Sequence, residues 1–86
     1  MDIYFSPHFK RSFKKLSPSF QIEALKKIES FRLSPFHPSL KTHKLSVEQL
    51  WAFSIDHKNR VVFQFLKNED ILLINIGDHS IYRKVK

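Results

Sequence analysis

In the N-terminal third of the chain, apolar residues recur at helical spacing. Phe9, Phe13 and Leu16 stand at i, i+4 and i+7, one stripe of a helix, while Lys10, Arg11, Lys14 and Lys15 cover its other side. Ser6-Pro7 marks the start. The serine can cap orphan N–H groups, and a proline at the first helical position has no N–H to leave unpaired. Ser17-Pro18 repeats the device. The helix after it turns Phe20, Ala24, Leu25, Ile28 and Phe31 inward and Lys26, Lys27, Glu29 and Arg32 largely outward. It should stop near Leu33 or Ser34, because Pro35 disfavours helix in the residue before it. Two helices joined so tightly predict an antiparallel hairpin. Ahead of them, Ile3, Tyr4 and Phe5 make a short strand-like opening.

Further along, the period changes. LWAFSID (50–56), RVVFQFL (60–66) and DILLINIG (70–77) are β-rich runs separated by the hairpin-length turns HKN and KNE, which predicts a three-stranded antiparallel meander. In the first run Trp51, Phe53 and Ile55 share one face, with Leu50, Ala52, Ser54 and Asp56 on the other. The third run is apolar on both faces and reads as a central, doubly covered strand. Between the halves lies SPFHPSLKTHKL (34–45), a loop too long for mere connection. The fold class is therefore α+β in the order β-α-α-β-β-β: a small antiparallel sheet with two N-terminal helices packed on one face. Residues 1–86 read as a single domain without internal repeats.

Composition narrows the picture. A chain of 86 residues buries only about 60–65 % of its unfolded surface, so its core must be dense. Nine phenylalanines, one tryptophan and two tyrosines suit that need. The absence of cysteine excludes disulfides and thiolate zinc sites, and a cytoplasmic location is expected. No apolar run is long enough to cross a bilayer, and MDIYFSPHFK lacks the sustained apolar segment of a signal peptide. Fifteen Lys and Arg against eight Asp and Glu give a formal charge of +7. That field favours nucleic acid, an acidic protein or an anionic membrane, though a plainly lysine-rich soluble surface would read the same way.

The candidate chemistry lies in the loop and the β-rich half. His79 closely follows LLINIG, and an imidazole can give or take a proton near neutrality. Before it stands Gly77, the only glycine, which permits unusual torsions or a close approach of backbone or phosphate. A surface histidine in a tail is the plain alternative. Arg60 opens a strand and carries a planar, permanently charged fork that matches phosphate oxygens; pairing with Asp56 or Glu69 is equally open. Lys41, His43 and Lys44 form a basic cluster at the end of the long loop. Tyr82 could stack a base or bond a phosphate, or simply pack a terminal segment. His57 reads as an exposed turn residue, and His8 and His37 as structural. The five histidines show no helical i, i+4 pair and no clustered carboxylates, so neither a metal nor another cofactor is expected. The remaining kit of histidines, arginine, lysines, a carboxylate and a tyrosine suits RNA transesterification. One group deprotonates a 2′-OH, a cation stabilises the charge that develops on the phosphate, and an acid protonates the leaving 5′-oxygen.

HKL at 43–45, LWAFSID at 50–56, RVVFQF at 60–65 and ILLINIGDHSIYR at 71–83 resemble the RelE/ParE superfamily of bacterial type II toxins, most nearly its YafQ-like or RelE/StbE mRNA interferases. The resemblance covers nearly the whole chain in element order and is most specific in the C-terminal half. It implies a metal-free endoribonuclease that cuts mRNA, usually on the ribosome. It also implies partners: a cognate antitoxin that wraps the toxin, and operator DNA only through that antitoxin. No membrane is implied. His43 matches the loop histidine of the YafQ-like branch, His79 the histidine after the last strand, and Arg60 the arginine that opens the strand after the hairpin. Tyr82 lies close to the C-terminal aromatic. RelE itself carries lysines where this chain has Ala52 and Ser54, and Asp56 and His57 approximate the hairpin pair of the YafQ-like branch across a shorter turn. The implied catalytic set is His43, Asp56, Arg60, His79 and Tyr82, with His79 as acid, Asp56 or His43 as base, and Lys41, Lys44, His57 and Arg83 on the RNA. Non-cleaving members that act on DNA gyrase share the fold, so a gyrase toxin and a simple nucleic-acid-binding module are the alternatives.

Overall fold

The computed structural model describes residues 1–47, 49–78, 80 and 81. The elements in chain order are β1 (Ile3–Phe5), α1 (Pro7–Lys14), α2 (Pro18–Leu33), β2 (His43–Lys44), β3 (Trp51–Ser54), β4 (Arg60–Phe65) and β5 (Ile71–Gly77). Both helices start as their serine–proline pairs predict. The Ser6 and Ser17 hydroxyls accept the N–H groups of Phe9 and Phe20 at 3.0 and 3.3 Å. Ser6 also donates its hydroxyl to the Ile74 carbonyl and its N–H to the Leu73 carbonyl, which ties the start of α1 to β5.

The strands form one sheet in the order β1-β5-β4-β3-β2. The meander is antiparallel as expected, but the sheet as a whole is mixed, because β1 runs parallel to β5 with Ile3 opposite Ile71. His43–Lys44, read from the sequence as loop, is a short edge strand against β3. The rest of the 34–45 segment contains a single 3₁₀ turn, Pro38–Leu40, whose Leu40 is fully buried. In the β4–β5 hairpin Arg60 pairs with Gly77. Antiparallel pairing by itself sets the start of one strand beside the end of the next, so no offset is needed to bring them together. A bulge lies between Val62, opposite Asn75, and Phe63, opposite Leu73, leaving Ile74 as the extra residue. Asn75, the one amide in LLINI, is buried at this bulge. Its side-chain oxygen accepts from the Ser12 hydroxyl at 2.7 Å and the Ile76 N–H at 2.9 Å.

The core lies between the helices and one face of the sheet. Phe9, Ala24, Ile28 and Phe31 meet Phe53, Ile55, Val61, Phe63, Ile71, Leu73 and Ile76. Phe31 is at its centre, stacked on Phe53 at 4.3 Å and edge-on to Phe63 at 4.7 Å. Leu25, expected inward, is half exposed. The other sheet face is not purely polar: Ala52 and Val62 are fully buried although they lie outside this core. Gly77 keeps an ordinary φ, so it is not needed for its torsional freedom. A Cβ there would come within 2.6 Å of Ile81 Cγ2, and the absent side chain is what lets Ile81 pack down on the end of β5.

Candidate active site

The site begins with the turn that joins β3 to β4. Asp56 Oδ1 accepts the N–H groups of Lys58 and Asn59 at 2.9 and 2.7 Å, and the Asn59 amide reaches both carboxylate oxygens. This is an Asx turn closed on itself. Partial burial pushes the Asp56 pKa up. The hydrogen bonds from Asn59 and Lys58 and the nearby Arg60 charge outweigh it and hold the carboxyl below its ordinary value. A carboxylate so occupied is a weak proton acceptor. Its geometry fits it for shaping the turn.

Arg60 is the first residue of β4 and folds back over that turn. Its Nη1 donates to the carbonyl oxygens of Asp56 and Asn59. Two carbonyl anchors on one nitrogen fix the plane of the guanidinium and leave the fork's other N–H groups for a ligand.

On the far side of β3, Lys41 adopts a left-handed conformation with φ of 51°. Its carbonyl lies 2.9 Å from Nδ1 of the exposed His43 ring. A carbonyl can only accept, so Nδ1 carries the hydrogen and Nε2 of the neutral ring keeps its lone pair. Nε2 is then the ring atom that can take up a proton. His37 shows the reverse arrangement, since its Nδ1 accepts the Ser39 N–H and caps the 3₁₀ turn.

Sheet register relates these groups. Gly77, Arg60 and Ser54 form one row across β5, β4 and β3, and Asn75, Val62, Ala52 and His43 form the next usable row. Alternation puts His43, Ser54 and Arg60 on the same side of the pleat, opposite the Phe53 and Phe63 side that packs on Phe31 of α2. His43 is two strands over and two residues along from Arg60, which gives a Cα separation of about 12 Å. Lys44 is opposite Trp51, on the other side of the pleat, and does not join them.

A groove of about 260 Å³ opens beside the turn, lined by Lys27, Ser39, Lys41, Ser54, Ile55, Asp56, His57 and Arg60. The fold thus gathers four of the residues singled out in the sequence: Lys41, Asp56, His57 and Arg60. His79, Tyr82 and Arg83 lie outside the described residues. Past Gly77 the chain turns through an Ile81 N–H to Asp78 carbonyl bond of 3.1 Å, and Ile81 is buried. Among the described residues no three His, Asp or Glu side chains cluster as metal ligands, and no helix is long and apolar enough to cross a membrane. Sequence reasoning missed Lys27, Ser39 and Ser54 as lining residues. Lys27 had a signal: it stands three residues after Ala24 and four before Phe31, at the flank of the buried stripe rather than opposite it.

No family model matches the sequence, and no significant relative occurs among curated proteins. Solved structures do match. The YoeB/ParE toxin from Agrobacterium tumefaciens superposes with a TM-score of 0.75 at 14% identity, over 92% of this chain and 99% of that one. YafQ from E. coli strain BL21(DE3) gives 0.74 at 16%, over 94% and 96%. YafQ in the E. coli DinJ-YafQ toxin-antitoxin complex gives 0.70 at 16%, over 93% of each chain. At these identities the likeness shows the fold, which is that of the RelE/ParE toxins.

Proposed function

We propose that the chain is the toxin of a type II toxin-antitoxin system and a metal-independent endoribonuclease that cleaves mRNA, on the ribosome, in the cytoplasm. The observation that carries this reading is that His43, whose Nδ1 is held by a carbonyl, and the carbonyl-anchored Arg60 lie on one side of the pleat. His43 Nε2 takes the proton of a 2′-OH. The 2′-oxygen attacks the adjacent phosphorus, the P–O5′ bond breaks, and the products are a 2′,3′-cyclic phosphate and a 5′-OH. Arg60 stabilises the charge on the equatorial oxygens. His79, two residues beyond Gly77, gives a proton to the leaving 5′-oxygen. Tyr82 stacks on a base, Lys41, His57 and Arg83 hold the RNA backbone, and Asp56 positions Arg60 instead of acting as base.

The partners in this reading are mRNA, the ribosome and an antitoxin of net negative charge. The YafQ fold in its DinJ complex supports the last, as does this chain's +7. Primer extension on cellular mRNA after induction tests the reading. Discrete cuts that vanish in Arg60→Ala and His43→Ala support it. DNA damage with intact mRNA would favour a gyrase toxin, and steeply salt-dependent RNA binding without cuts a plain binding module.

A further inference from the structure

We propose that the groove between α2 and the β3–β4 turn is a second phosphate subsite, in which Lys27 and Lys41, assisted by Ser39, hold the RNA phosphodiester next to the one that is cleaved. The inference rests on the RNA-cleaving reading of His43 and Arg60.

Three cations line the groove: Lys27 from α2, Lys41 from the segment just before β2, and Arg60 from β4. None of them has an ion-pair partner among the described residues, where the one salt bridge is Arg32 with Glu29. The single carboxylate in the lining, Asp56, is turned to its own turn N–H groups and to the Asn59 amide. The groove therefore keeps an uncompensated positive charge in a concave site, the arrangement that concentrates anions. Its volume of about 260 Å³ is several times the ~30 Å³ share of one water, so it accommodates a phosphodiester.

The backbone of Lys41 links the groove to His43. A side chain at φ of 51° carries a Cβ in the left-handed region, at a cost of about 1 kcal/mol that glycine would not incur. Lys41 takes this conformation as the residue that ends the 3₁₀ turn, and the reversal carries the chain into β2. Here one residue gives its carbonyl to His43 and also lines the groove, which couples base and subsite. Arg60 lies at the boundary. Lys41 stands two residues before His43 of β2, and β2 is two strands from the β4 that carries Arg60, so lysine and arginine enter the lining from different sides of β3.

The test uses a 2′-O-methyl RNA trinucleotide, which lacks the nucleophile and has two phosphodiesters. Each linkage is replaced in turn by an uncharged methylphosphonate, and binding is followed by NMR titration. In the unmodified chain, neutralising the flanking linkage should weaken binding roughly tenfold, the scale of one charged hydrogen bond. In Lys27→Met the same replacement should cost less than twofold, while Arg60→Met should couple to the other linkage. The slope of log K against log salt should fall by about 0.7 in Lys27→Met, one phosphate contact on a single strand. Full penalties at both linkages in Lys27→Met, or coupling of Lys27 and Arg60 to the same linkage, overturn the subsite while cleavage stands. No affinity for the trinucleotide together with intact mRNA in cells overturns the subsite and the ribonuclease reading together. Melting temperature reports whether each variant folds.

Discussion

The two ends of the β3–β4 hairpin share the same strands and carry opposite chemistry. At one end Trp51, Phe63, Phe65 and Phe36 interlock, with Trp51 and Phe65 rings 5.4 Å apart and edge to face. At the other, a carboxylate organises a turn, an arginine is anchored to two carbonyls, and two lysines with no ion-pair partner among the described residues line the same groove. The aromatic end contributes burial, which does not depend on direction. The cationic end contributes geometry, which depends on little else. Stability and chemistry are thus separated along one pair of strands, and substitutions should separate them too.

The sharpest break comes from the aromatic side. Phe63→Ala should cost about 3–5 kcal/mol, since the ring is fully buried among four others. Urea denaturation should show that loss, and the folded fraction should retain its cleavage rate. Next in size, Arg60→Ala should lower cleavage by about 10²–10³-fold while leaving the melting temperature nearly in place. Equal losses of stability in both variants would dissolve the contrast.

Smaller effects sharpen it. Gly77→Ala would drive a methyl into Ile81, so it should destabilise by about 1–3 kcal/mol by overpacking. The β4–β5 turn, Lys67–Glu69, has Asn68 and Glu69 both at positive φ, 63° and 64°. Glu69→Gly should therefore stabilise by about 1 kcal/mol, a rise of about 4–8 °C in melting temperature for a domain this small, with cleavage unaffected.

The smallest expected effect is a pH dependence. Asp56 has a lower pKa folded than unfolded, so its contribution is complete above the unfolded value of about 4 and is lost as pH falls through the folded one. Asp56→Asn should flatten the decline in urea midpoint between neutral and strongly acid solution. Glu29, also held low, by its hydrogen bond to Arg32, leaves a residual slope.

Local chemistry was legible in the sequence where it was self-contained. The serine–proline starts of both helices, the stop before Pro35 and the three-run meander all follow from residues close together in the chain. What depends on distant partners was not. A two-residue strand at 43–44 has no periodicity to detect, and the parallel pairing of β1 with β5 joins residues 68 positions apart. Gly77 was conspicuous, but its reason was a neighbouring methyl group and not a torsion. For the candidate site, residue types were readable, whereas the His43 tautomer, the occupied Asp56 carboxylate and the entry of Lys27 required coordinates.

The pairing of β1 with β5 also bears on synthesis. A chain leaves the ribosome N-terminus first, so its opening strand waits without its neighbour until residue 73 has emerged. The row that sets Arg60 beside Gly77 closes later still. A nascent chain therefore completes its sheet, with both neighbours of β5 in place, only when nearly the whole described length has been translated.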